Sequence, residues 1–101
     1  MNRRVRQHRN RLEIINDILT VAIEGSKKTR IMYRANLSYD QLVEYLSFLL
    51  DEGLVMKVED AESEGTFIFR VSDKGKIFLK TYSELAEILP NKGKLAQNAF
   101  L

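Results

Sequence analysis

Residues 38–54 constrain the fold more than any other part of the chain. Ser38 is placed to cap a helix: its hydroxyl can accept the amide of Asp40 or Gln41, and Gln41 at the third helical position completes a capping box. Leu37 before the cap and Leu42 at the fourth helical position can form the hydrophobic staple that sets how the chain enters. Leu42, Leu46, Leu49 and Leu50 recur at helical spacing toward a core, with Tyr39, Asp40, Gln41, Glu44 and Ser47 nearer solvent and Val43 and Phe48 at the edges. Gly53 stops this helix. Beyond it the apolar period changes from helical to alternating, so a strand follows directly.

The flanking segments must complete what this helix and strand begin. Residues 11–23 read as an amphipathic helix with Ile15, Ile18, Leu19 and Ala22 innermost, ended by Gly25-Ser26. A short helix from residue 27 or 28 to residue 34 turns Ile31 and Met32 inward and leaves Lys28 and Arg30 outside. Ala35-Asn36-Leu37 is the turn, with Asn36 suited to a left-handed corner. After Gly53, Leu54, Met56 and Val58 share one strand face. In residues 66–71, Phe67, Phe69 and Val71 share a face, opposite Ile68 and Arg70. The acidic stretch 59–65 connects the strands, and such a hairpin needs helices to pack on. Ser72 caps a last helix beginning at Asp73, and Gly75 in its first turn either weakens it or permits a close backbone approach. Residues 94–101 read as a short helix or a tail.

This order of helix, short helix, turn, helix, hairpin and helix gives an α+β winged helix-turn-helix: a three-helix core, a two-stranded β-hairpin wing and a C-terminal helix. The expected division is a basic arm over 1–10, the domain over 11–89 and a tail or short helix over 90–101. At 101 residues the chain suffices for one domain with a continuous core. It has no cysteine and one histidine, His8, which excludes a disulfide scaffold and thiolate or multi-histidine metal sites. No phosphate-binding Gly-x-x-x-x-Gly-Lys-Ser/Thr loop is present, and no enzymatic role or cofactor is expected. No apolar run approaches the roughly 18 residues of a membrane span. The polar residues Glu13, Asn16 and Asp17 after the basic start argue against a signal peptide, and a cytoplasmic protein is expected.

Charge is unevenly placed. Residues 1–34 carry nine Lys or Arg against three acids, residues 35–69 carry only Lys57 against eight acids, and residues 70–101 carry six Lys or Arg against three acids. Two basic regions flank an acidic middle, an arrangement that suits a polyanion laid across both ends or simply an unevenly charged soluble surface.

The chain resembles the compact archaeal winged-helix proteins typified by the small basic DNA-binding proteins of thermophilic archaea. The residues that carry this are Leu12-Glu13-Ile14-Ile15, Lys28-Thr29-Arg30-Ile31-Met32-Tyr33, Ala35-Asn36-Leu37-Ser38-Tyr39 and Gly53-Leu54. The resemblance covers residues 11–82. It implies an archaeal or archaeal-virus source, a nucleoid or host-cytoplasm location, double-stranded DNA binding and homodimerisation through the C-terminal helix. Long-tailed members form an antiparallel coiled coil there; a helix of about 16 residues before Pro90 cannot sustain several heptads. Tyr82, Leu85, Ile88 and Leu89 are the dimer candidates, and the same residues could instead close the monomer core.

In helix-turn-helix docking the start of the second helix enters the major groove while the preceding helix crosses the backbone. That makes Tyr39, Asp40, Gln41 and Glu44 the base-contact candidates, with Gln41 able to pair with adenine or to stay in the capping box. Ser38, Lys28, Arg30 and Arg34 are phosphate candidates, as are Arg3, Arg4, Arg6, Arg9 and Arg11 of the arm. Asp60, Glu62 and Glu64 at the hairpin tip would repel phosphates, so the tip is expected to stay off the backbone or to contact a protein. The expected function is a small transcriptional regulator. The alternatives are a winged-helix protein-interaction module without direct DNA binding and a non-specific chromatin protein.

Overall fold

The structure, a computed structural model, describes residues 9–89. Its elements run α1 (Arg11–Val21), α2 (Lys28–Arg34), α3 (Tyr39–Asp51), β1 (Val55–Glu59), β2 (Phe67–Val71) and α4 (Asp73–Ile88). The expected order and the winged helix-turn-helix architecture are both present.

α1, α3 and α4 each begin on a side-chain cap. Ser38 Oγ accepts the Gln41 amide at 3.1 Å, and Gln41 Oε1 accepts the Ser38 amide at 3.0 Å, closing the expected capping box. α1 opens on a second box, in which Asn10 Oδ1 accepts the Glu13 amide and Glu13 Oε1 accepts the Asn10 amide. Lys27, at the head of α2, is the exception and caps with no side chain. At α4, Ser72 Oγ accepts the Gly75 amide and donates to the Gly53 carbonyl at 2.6 Å. One hydroxyl thus starts α4 and ties it to the end of α3. A Cβ on Gly75 would run into the Leu54 carbonyl oxygen and the Val71 side chain, so this glycine permits a close approach of α4 to the start of β1.

The core joins Ile14, Ile15, Ile18 and Leu19 of α1 to Ile31 of α2, Leu42, Leu46 and Leu49 of α3, and Val55, Phe69 and Val71 of the wing. Ala22 is buried as expected, whereas α1 ends at Val21 and Ile23 is half-exposed. Met32 and Leu50 are partly buried against the core, and Val43 and Phe48 lie open to solvent.

The structure decides which face of the wing is buried, a choice the alternation left open. β1 and β2 pair antiparallel, Val55 opposite Val71, Lys57 opposite Phe69 and Glu59 opposite Phe67. The inward face is Val55, Phe69 and Val71, while Met56 on the other face is 45% exposed. Leu54 is buried, but it precedes the strand, so its burial does not carry Met56 and Val58 inward with it. Phe67 shares the inward face yet lies beyond the core and is 46% exposed. Ser26 adds a short third rung: its amide donates to the Phe69 carbonyl at 3.0 Å and its carbonyl accepts the Phe69 amide at 2.8 Å. The Val71 amide also donates to the Ala22 carbonyl. These bonds lock the α1–α2 connection onto β2.

Candidate nucleic-acid interface

α2 spends Ile31 on the core and leaves Lys28, Arg30 and Arg34 exposed. None of the three forms an ion pair with a described residue, so their charge is available to an outside anion. The turn to α3 is tight because Asn36 takes a positive φ of 57°, as the sequence predicts. It leads from α2 into Ser38, Tyr39, Asp40, Gln41 and Glu44, all of them exposed.

α3 itself carries no Lys or Arg from Tyr39 to Asp51. Its exposed charges are negative, so the attraction for a polyanion must come from its neighbours. Gln41 has its carbonyl oxygen engaged in the capping box, while its amide nitrogen has no partner among the described residues. In this conformation the side chain offers only a donor, and bidentate pairing with an adenine would compete with the cap.

The basic arm divides at Arg9. Arg3, Arg4 and Arg6 lie outside the described residues. Arg9 belongs to the folded unit: Nη1 donates to Asp17 Oδ2 at 2.7 Å and to the Ala35 carbonyl at 2.9 Å, and Nη2 donates to the Asn36 carbonyl at 2.9 Å. Its side chain is only 17% exposed, and its Nε is buried without a partner. The arginine thus acts as a cation at the C-terminal end of α2, where carbonyls are left free and the helix dipole is negative. Grouped by sequence with the phosphate candidates, Arg9 is committed within the chain. Arg11 is exposed, beside a groove between α1 and α3 lined also by Leu12, Ile15, Tyr45 and Phe48.

Some surface groups fall outside the sequence-based candidates. Tyr33 on α2 is 82% exposed. Its neighbours Ile31 and Met32 mark the inward side, so its outward position was readable from spacing. Lys57 places its ammonium 4.7 Å from the centroid of the Phe67 ring, and Lys27 and Lys28 line the same shallow hollow. This grouping depends on strand register and on the Ser26–Phe69 rung, which no local pattern announces.

At the far end, Tyr82 stacks on Phe78 with ring centroids 5.9 Å apart. Leu85, Ile88 and Leu89 are 44%, 73% and 39% exposed and do not close the monomer core. Among the described residues, no group of His, Cys, Asp or Glu is placed to hold a metal ion, and no helix is long and apolar enough to cross a membrane.

Comparison with known proteins matches these features. The family model described as winged helix-turn-helix matches residues 8–89. An uncharacterized protein of Methanocaldococcus jannaschii is 35% identical over 92 residues, covering 90% of this chain and 88% of that protein. A second uncharacterized protein of the same organism is 30% identical over 86 residues, covering 83% of this chain and 37% of the longer partner. Among solved structures, Sso10a-2, a DNA-binding protein from Sulfolobus solfataricus, superposes with a TM-score of 0.70 at 25% identity, covering 90% of this chain and 97% of that one.

Proposed function

The chain belongs to the winged helix-turn-helix family, and from that premise we propose that it is a double-stranded DNA-binding transcriptional regulator working as a homodimer in the cytoplasm. The observation that carries the reading is the set of exposed α2 cations without an ion pair among the described residues, Lys28, Arg30 and Arg34, one tight turn before the exposed start of α3. With α2 crossing the backbone, these three and Ser38 contact phosphates, while Tyr39, Asp40, Gln41 and Glu44 face base edges. Arg11 and the arm residues Arg3, Arg4 and Arg6 add to the backbone contacts. The DNA-binding character of Sso10a-2 supports the same reading.

Dimerisation is supported by the exposed Leu85, Ile88 and Leu89, an apolar patch at the end of α4 and its cap that is not buried in the core of the described residues. A helix of 16 residues is about 24 Å long, so the pairing is compact rather than a long arm.

Titrating salt against binding to a random duplex tests the proposal. Affinity should fall steeply as salt rises. No binding below about 50 mM salt, where screening is weak, would transfer the function to a protein partner. Such a partner would be basic and would meet the exposed Glu62 and Glu64 of the wing tip.

A further inference from the structure

We propose that the cleft between α2 and the base of the wing seats one strand of the DNA backbone, and that Asp60 on its wing side limits how tightly that strand is held. This deepens the DNA-binding reading above and rests on it. The cleft has a volume of about 680 Å³. Lys27 at the α2 cap and Thr29, Arg30 and Arg34 of α2 line one side; the end of α1 and its connection to α2 line another and add the acid Glu24, and Asp60 and Ile68 line the wing side.

Its walls are fixed relative to each other. Ser26 exchanges two backbone hydrogen bonds with Phe69, and Ser26 Oγ donates to the Val21 carbonyl at 2.9 Å. Gly25, at φ 95°, lies so close to Ile68 and Arg70 that an added Cβ would meet the Ile68 side chain. The cations occupy positions i, i+3 and i+7 along the chain, on one side of α2 and its cap, a row of about 10 Å. A second hollow adjoins the first, sharing Lys27 and Thr29, and continues the basic path through Lys28 to Lys57 over Phe67. Cations strung along a path suit a repeating polyanion; a single small anion would be better held by cations converging on one point.

The acids of the wing are not equivalent. Asp60 is partly buried and lines the cleft; its amide donates to the Thr66 carbonyl at 2.7 Å, and its Oδ1 accepts the Glu62 amide at 3.0 Å. These bonds hold it at the root of the loop, across from Arg30 and Arg34, without an ion pair to either. Glu62 and Glu64 are exposed and do not line the cleft. The sequence-based expectation that the whole acidic tip stays off the backbone therefore separates: Glu62 and Glu64 stand clear, while Asp60 faces the strand.

Asp60→Asn tests this, because the amide oxygen can still accept the Glu62 amide. With the full chain and a random duplex at about 50 mM salt, the variant should bind about two- to five-fold tighter, an advantage that shrinks as salt screens the pair. The Glu62→Gln/Glu64→Gln double variant should stay within about two-fold of the parent at the same salt, since its exposed charges are farther from the strand and screened. Equal affinities for Asp60→Asn and the parent, or an equal gain in the double variant, would overturn the role of Asp60. Unchanged binding in Arg30→Ala and Arg34→Ala, with the parent binding normally, would overturn the seat. Competition by inorganic phosphate beyond that of chloride at equal ionic strength would assign the cleft to a free anion and also overturn it. Absence of duplex binding by the parent would instead remove the DNA reading beneath.

Discussion

The Arg9 guanidinium holds the Asn36 carbonyl at 2.9 Å, joining the residue before the α1 cap to the left-handed corner of the helix-turn-helix. The same side chain reaches Ala35 and Asp17, so one arginine spans α1, the end of α2 and the turn.

Arg9→Ala should therefore act on stability. Losing charged hydrogen bonds from a side chain that is mostly covered should lower unfolding free energy by about 1–3 kcal/mol. Arg9→Lys should recover little of this, because an ammonium cannot span the same fork of acceptors. Urea denaturation gives the midpoints. A stability matching the parent would show that the fork contributes nothing.

Gly75→Ala should destabilise through steric conflict with the Leu54 carbonyl and Val71, by roughly 1–3 kcal/mol. Alanine is otherwise the better helix former, so helix propensity alone predicts the opposite sign. A raised melting temperature would mean that α4 can move away from β1 at little cost.

Gln41 has two candidate uses that substitution can separate. Gln41→Glu keeps an acceptor for the Ser38 amide, so stability should stay within about 0.5 kcal/mol of the parent. It removes the free amide donor and adds a negative charge at the groove face, so duplex binding should weaken about ten-fold or more if Gln41 touches a base, each good contact being worth about 1–3 kcal/mol. Unchanged binding at fixed salt would leave Gln41 as a cap only.

Leu85→Asp/Ile88→Asp should convert a dimer to a monomer in sedimentation or light scattering without unfolding the domain, since both side chains are exposed within one chain. A variant that keeps the parent's mass would place any self-association elsewhere.

The parts of the fold readable from sequence were those whose signals are local. Ser38, Gln41 and the leucines Leu42, Leu46 and Leu49 lie within a few turns of one another, and the structure uses them as their spacing predicts. The Asn10–Glu13 box has the same spacing, but it straddles the boundary between the basic arm and the first helix, where the run of arginines masks the cap signal. Arg9 finds acceptors 26 and 27 positions away, a relationship that spacing within a helix cannot show. Alternation in the wing was visible, but alternation alone does not say which face is inward. Val55, the first residue of β1, took the core side, and Met56 went outward. The Lys57–Phe67 contact and the placement of Asp60 across from Arg30 depend on register and on the Ser26 rung, so they appear only in three dimensions.

The most direct test of DNA binding through α2 is the slope of log affinity against log salt for a random duplex, parent against Lys28→Ala/Arg30→Ala/Arg34→Ala. With each phosphate contact worth about 0.9 in slope, the triple variant should lose up to about 2.7 of it while remaining folded. A triple variant with the parent's slope and affinity, or a parent with no salt dependence at all, would contradict the account.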